Sequence, residues 1–224
     1  MISPEKLDGL QRGWVHLLAG YAVEPATAYP PFDRLVAAYS EPHRRYHTLE
    51  HLGEMFRVGS RLMRFANHAN AVQLAVWYHD IVYDPTRSDN EARSADLATK
   101  ELEALGLPSA TVAAVQTLIL ATAHLLDTTT SGADADVLHD ADLAVLGASE
   151  ARYARYAADI RAEYAHVPEA DYRRGRSAVL ERFLNQPRIY RTDLMFEEGE
   201  AAARRNLEQE QETLRSGAET AAAG

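Results

Sequence analysis

The stretch Ala71-Val72-Gln73-Leu74-Ala75-Val76-Trp77-Tyr78-His79-Asp80 decides the fold, because an apolar helical run ends there in an adjacent His-Asp pair. The spacing of its apolar residues predicts a helix over residues 70–80. Burying the charge of Asp80 beside this run costs free energy unless a partner compensates for it. A metal ion or a capping hydrogen bond would compensate, and the alternative is a His-Asp pair exposed to water at a helix end.

Two further histidines lie upstream, in the segment Arg45-Tyr46-His47-Thr48-Leu49-Glu50-His51. The apolar periodicity predicts one helix over residues 46–67, on which His47 and His51 are four residues apart and share a face. That spacing directs two imidazoles to one point, as in ligand pairs on helices. The segment therefore indicates metal binding or catalysis, and the alternative is a pair of surface histidines.

Acidic residues follow further along, in the segment Leu138-His139-Asp140-Ala141-Asp142-Leu143. We predict that Asp140 is the N-cap of a helix over residues 140–146. Asp142 then lies in an apolar context, which is explained either by metal ligation or by the helix dipole in the first turn. His124 ends a mostly apolar helix, where it either faces the same site or forms a structural hydrogen bond.

The rest of the chain also has helical periodicity, and no segment has the convincing alternation of a strand. Further helices are predicted over residues 3–20, 32–39, 89–105, 108–119, 150–165, 169–184 and 195–214. We expect Pro30-Pro31 to break the chain before residue 32, and residues 125–137 to form a polar loop with solvated acids at Asp134 and Asp136. The prediction is an all-α fold of about nine helices, with a single domain over residues 1–215 and a disordered tail over residues 216–224.

Composition limits the classes of function. The chain has 224 residues, of which 46% are apolar, so it can bury a sizeable core. Its formal net charge of −10 argues against bulk nucleic acid or an anionic membrane as partner, so a phosphorylated ligand needs a local positive site. There is no cysteine, so metal ligands must be His, Asp, Glu or water. Neither a secretory pattern nor an apolar run of about 20 residues is present, so we expect a cytoplasmic protein.

Together the motifs resemble the HD superfamily of metal-dependent phosphohydrolases, in particular a predicted phosphohydrolase branch with a Tyr-His-x-x-x-His-Leu start. The resemblance extends from about Tyr39 to Glu210 and is carried by residues 45–51, 78–80 and 140–143. It implies a helical HD-type domain with a divalent metal ion. The ligands that it implies are His51, His79, Asp80 and Asp142, with Asp140 as the alternative last ligand.

The resemblance also implies hydrolysis of a phosphate ester on a small metabolite or nucleotide, as a phosphomonoesterase or phosphodiesterase. His47 matches a position from which distant relatives protonate the leaving group, and His124 matches a second metal site or a substrate contact. Asp80 would help to take the proton of the attacking water, and Arg45 would offset the phosphate charge.

Three points stay open at this stage. Arg44 or Arg87 would also serve the phosphate, and for each arginine the alternative is a solvated surface role. The ligand set is compatible with Mn, Fe, Co, Ni, Zn and Mg. The rival functions are a di-iron oxygenase of the HD type and a protein that binds a nucleotide or metal without turnover.

Overall fold

The protein is all-helical over residues 2–123 and 132–222, which are the residues that the computed structural model describes. In these ranges the chain forms ten α-helices and two short 3-10 helices, with no strand, so the predicted all-α class is confirmed. The α-helices are α1 (Pro4–Ala19), α2 (Pro25–Ala38), α3 (Leu49–Leu62), α4 (Ala69–Tyr78), α5 (Asn90–Ala104), α6 (Ser109–Thr122), α7 (Ala133–Asp142), α8 (Glu150–Glu163), α9 (Glu169–Leu184) and α10 (Asp193–Ala222). The 3-10 helices are Met63–Phe65 and Leu143–Gly147. No helix in the described ranges is both long enough and apolar enough to cross a bilayer.

The chain divides into two compact units, Met1–Ala141 and Asp142–Gly224. The division falls one residue before the end of α7, so the position of Asp142 is set by a helix of the first unit. The last helix continues to Ala222, whereas the sequence placed the end of the helical domain at residue 215. Three of the seven residues of this extension are alanine, the most favourable residue in helices.

Helix α4 is the core of the first unit. Ala71 to Tyr78 are all buried except Gln73, because the helix is apolar on every side. The Trp77 ring packs against the rings of three other helices, at centroid distances of 5.5 Å from Trp14, 5.9 Å from Phe32 and 4.9 Å from Phe56. This packing fixes the end of α4, where the His-Asp pair follows.

Helix α2 corrects one expectation. It begins at Pro25 and includes Pro30 and Pro31, so the predicted break before residue 32 is wrong. Interior prolines remove helical hydrogen bonds. Burial of Pro31, Phe32 and Leu35 in the core offsets that loss.

Helix α3 begins at Leu49, not at residue 46, and it ends at Leu62. Thr48 has an extended backbone, and its N–H donates to the Tyr46 carbonyl at 2.8 Å in a tight turn. His47 therefore precedes the helix, and the prediction that it shares a helical face with His51 is wrong.

Helix α7 corrects two further expectations. It begins at Ala133, so the predicted loop does not extend to residue 137, and Asp140 lies inside the helix instead of capping it. Asp134 is not simply solvated. Its Oδ1 accepts hydrogen bonds from the backbone N–H groups of Asn67 (2.6 Å) and His68 (2.9 Å), and its Oδ2 lies 2.8 Å from His68 Nδ1. This contact ties the start of α7 to the start of α4.

Tyr190 is the central side chain of the second unit. It is fully buried, and its hydroxyl accepts from the Gly147 N–H at 2.7 Å and donates to the Leu143 carbonyl at 3.1 Å. A Cβ atom at Gly147 would lie 2.8 Å from the Tyr190 hydroxyl and 2.9 Å from the Gly199 carbonyl. The close approach therefore requires glycine at residue 147.

We predict that Asp134→Asn lowers the free energy of unfolding by about 1–3 kcal/mol at neutral pH, because an amide accepts these hydrogen bonds less well than a carboxylate. Partial burial raises the pKa of Asp134, but the hydrogen bonds from His68 and Asn67 outweigh it and hold the pKa below its usual value. Because the folded-state pKa is the lower one, the stabilisation is fully present above the unfolded-state pKa and is lost as the pH falls through the folded-state pKa. The difference between variant and wild type should therefore be constant above about pH 5 and shrink as the pH falls below about 4.

Urea unfolding at a series of pH values measures this difference. The matched control is Asp96→Asn, which changes an exposed acid on α5 and should shift the free energy of unfolding by less than about 0.5 kcal/mol. Equal effects of the two substitutions at neutral pH would show that Asp134 does not tie α7 to α4.

We also predict that Gly147→Ala destabilises the second unit by about 1–3 kcal/mol, because the added methyl group collides with Tyr190 and with backbone. Gly175→Ala is the control. Nothing lies within 4 Å of a Cβ atom at this position inside α9, so the substitution should stabilise the helix by about 0.5–1 kcal/mol. Thermal unfolding followed by circular dichroism checks both signs, and a shift of both variants in the same direction contradicts the packing argument.

Candidate metal centre

Two histidines of the first unit lie close to the aspartate that ends α7. Within the described residues, the set of three or more potential ligands whose ligand atoms all lie within 4.8 Å of one another is His51, His79 and Asp142. The two histidines are buried, at 2% and 1% exposure, and Asp142 is partly exposed. A group of this composition could hold a metal ion.

Three helix ends position these side chains. His51 is in the first turn of α3, His79 directly follows α4, and Asp142 is the last residue of α7. Each residue is therefore held by a helix, and each lies at the helix end that adjoins a connecting segment. The apolar packing around α4 carries His79 into the interior with it.

A hydrogen bond defines which nitrogen of His79 faces the site. Its Nδ1 lies 2.9 Å from the carbonyl of Val76, and because a carbonyl only accepts, Nδ1 carries the proton. In neutral His79, Nε2 then offers only a lone pair, and Asp80 Oδ2 lies 3.1 Å from it. Two acceptors this close require a positive charge, which is either a proton on Nε2 or a metal ion.

Asp80 is an ionised carboxylate next to the histidines. Burial raises the pKa of Asp80, but the charge and the hydrogen bond of His79 outweigh it, with smaller contributions from His47 and His51. The pKa of Asp80 is therefore well below its usual value. The position predicted from the His-Asp motif thus keeps its negative charge across the neutral pH range.

His47 lies beside this carboxylate although it is not on α3. Its Nε2 is 3.8 Å from Asp80 Oδ2, and its ring centroid is 4.2 Å from that of Tyr83 and 5.9 Å from that of His51. The side chains of His47 and Asp80 are 18% and 16% exposed, in contrast to the buried rings of His51 and His79. His47 and Asp80 are therefore partly accessible to solvent.

Asp140 and Asp142 point in different directions, because residues two apart on a helix do not share a face. Asp142 joins the two histidines, whereas the fully buried Asp140 has its Oδ1 3.0 Å from Nδ1 of His139. The geometry thus favours Asp142 over Asp140 as the acidic ligand, and its role as a ligand stays a prediction. His124 lies outside the described residues.

The three arginines differ in their surroundings. Arg45 is exposed, and the exposed Arg87 pairs with Asp89 at 2.5 Å. Arg44 is buried, so a solvated surface role is wrong for it. Its guanidinium contacts backbone carbonyls next to the site, and no periodic pattern in the sequence predicts this.

No protein-family model, curated protein or solved structure matches the chain.

The chemistry of the donor set fits a divalent transition metal ion. Imidazole nitrogens together with a carboxylate oxygen bind such ions, and three protein ligands leave coordination positions for water or substrate. The bond from His79 to Val76 matches the orienting contacts that ligating histidines make through their second nitrogen.

We predict that His51→Ala, His79→Ala and Asp142→Asn each weaken the binding of Co(II) by at least about 100-fold, since each removes one of three donors. Titration calorimetry on metal-stripped protein measures the affinity. Asp140→Asn is the discriminating control and should retain the wild-type affinity, as should His16→Gln, which removes an exposed histidine of α1. If Asp140→Asn loses the metal and Asp142→Asn keeps it, the assignment of the acidic ligand is reversed.

Proposed function

We propose that this chain is a metal-dependent phosphohydrolase of the HD type that hydrolyses a phosphate ester on a small metabolite, with nucleotides among its substrates. One observation carries the proposal. A group of two buried histidines and a carboxylate, suited to a metal ion, adjoins an ionised carboxylate and an imidazole that are both accessible. Binding alone would not require an accessible acid-base pair beside the ligands.

His51, His79 and Asp142 would hold the ion. Asp80, the fourth ligand that the resemblance implies, is not in this group but adjoins it through His79, and its role as a ligand stays a prediction. A bound divalent ion supplies Lewis-acid chemistry, in which it polarises a phosphoryl oxygen and lowers the pKa of a coordinated water. It also supplies the local positive charge that an acidic chain with a net charge of −10 otherwise lacks for a phosphorylated ligand.

The protein's own groups would handle the protons. In hydrolysis, a water oxygen bonds to phosphorus, the ester P–O bond breaks, and the leaving oxygen needs a proton. Asp80 accepts a hydrogen bond from the attacking water and takes its proton as the new P–O bond forms. His47 in its protonated form donates to the leaving oxygen, and the anionic Asp80 at 3.8 Å stabilises that form.

Arg45 completes the proposed set as a contact to the substrate phosphate. It is exposed and lies two residues before His47, so it can meet a ligand that reaches the accessible side of the site. An arginine at this position would recognise phosphate oxygens through paired N–H donors.

The test is a screen of phosphomonoesters, phosphodiesters and nucleotides with protein loaded in turn with each of the six metals. His79→Ala should lose both the metal and the activity. His47→Gln should keep the metal but lower kcat by about 10²–10⁴-fold for an alkyl phosphate, which has a poor leaving group. For 4-nitrophenyl phosphate the loss should be much smaller, because its leaving oxygen does not need a proton.

Three results would count against the proposal. Full metal content and full activity in both His79→Ala and Asp80→Ala would show that the site is assigned wrongly. Tightly bound iron with oxygen consumption, and no phosphate release from any ester, would favour the di-iron oxygenase instead. Stabilisation by a nucleotide without product would favour a binding protein.

A further inference from the structure

Arg44 has a buried guanidinium that faces several carbonyls near the candidate site. Its side chain has 0% exposure. It donates to the backbone carbonyls of Asp80 (2.7 Å), Ile81 (3.0 Å) and His47 (3.4 Å). Its Nε donates to Glu41 at 3.0 Å. One planar group thus connects the segment before α3 with the turn after α4.

Two tyrosines enclose this guanidinium. The Arg44 Cζ lies 5.0 Å from the ring centroid of Tyr39 and 5.4 Å from that of Tyr83, within the range of cation–π attraction. The Tyr39 hydroxyl donates to the Trp77 carbonyl at 3.1 Å and accepts from the Asp80 N–H at 3.3 Å. Arg44 and Tyr39 therefore hold the turn at Asp80 through its carbonyl and its N–H, respectively.

His47 and Asp80 depend on such a connection because no helix holds either residue. His47 precedes α3, and Asp80 follows the last residue of α4 by two positions. The buried histidines differ in this respect, since His51 belongs to α3 and His79 is held through its contact with Val76. The side chains assigned to proton handling are thus the ones without helical support.

We propose that Arg44 is a positioning residue that sets His47 beside Asp80 by binding the backbone of both segments. This inference rests on the proposed function for its effect on turnover, but its structural consequence is measurable without any substrate. Lysine cannot replace arginine in this role. Its single ammonium group does not reach all the carbonyls that the planar guanidinium group contacts in different directions. Positive charge alone therefore does not suffice.

The experiment compares Arg44→Lys and Arg44→Met with the wild type, each loaded with Co(II) and labelled with ¹⁵N-histidine. The His47 resonance is assigned with His47→Gln, and its paramagnetic shift reports the position of the ring relative to the ion. Both variants should change that shift. Their affinity for Co(II) should fall by less than the roughly tenfold loss expected when a metal ligand is displaced. With an active ester, kcat should fall by about 10²-fold with little change in KM.

Arg93→Met is the matched control, because it removes an exposed arginine of α5, and it should leave the shift, the affinity and kcat unchanged. Arg44→Lys keeps the experiment decisive if Arg44→Met does not fold. A wild-type His47 shift in Arg44→Lys would overturn the proposal. Loss of both Co(II) binding and the cooperative thermal unfolding transition would also overturn it, because that result indicates a purely structural role. If the wild type hydrolyses no ester, the proposed function fails, and the His47 shift alone decides the role of Arg44.

Discussion

The burial of α4 is the constraint on which the rest of the first unit depends. A helix that is apolar on every side must be surrounded, and the rings around Trp77 surround it. Its end is then also buried, and His79 reaches the interior with 1% exposure. A buried polar ring has to be compensated, and the hydrogen bond to Val76 satisfies only one of its nitrogens. The chemistry of the site thus follows from a packing requirement, because the second nitrogen of His79 needs a positive charge beside the carboxylate of Asp80.

Helix α7 meets α4 at both ends, and this explains how an aspartate far along the chain reaches the histidines. Asp134, in the first turn of α7, binds the backbone just before α4, and Asp142, at its last residue, lies with His79. Both helices have 10 residues, so they cover the same distance of about 15 Å. Because the two helices have equal length and meet at their starts, a common direction brings their C-terminal ends together. A shift of one residue in α7 would turn Asp142 by about 100° and remove its carboxylate from the site.

The sequence predicted the elements whose formation is governed by local periodicity. Helix α4 and helix α9 lie close to their predicted bounds, and the His-Asp pair falls at a helix end as expected. The errors occur where a tight turn or a long-range contact determines the backbone. The spacing of His47 from His51 predicts a helix, but the turn at Thr48 ends that periodicity. The polar composition around Asp134 predicts a loop, whereas its partners lie 66 and 67 residues away, where no local pattern can indicate them.

In the proposed function, the arrangement of the site separates metal binding from proton transfer, two tasks that its composition alone would not distinguish. The buried histidines are carried by helices, which resist displacement because their backbone hydrogen bonds and their packing act together. His47 and Asp80 lie in connecting segments, where they stay accessible but depend on side chains such as Arg44 for their position. A metal site must keep its ligand distances fixed, whereas groups that transfer protons must meet both water and substrate. In the proposed function, helix ends therefore hold the metal ligands, and connecting segments held by side chains such as Arg44 carry the groups that transfer protons.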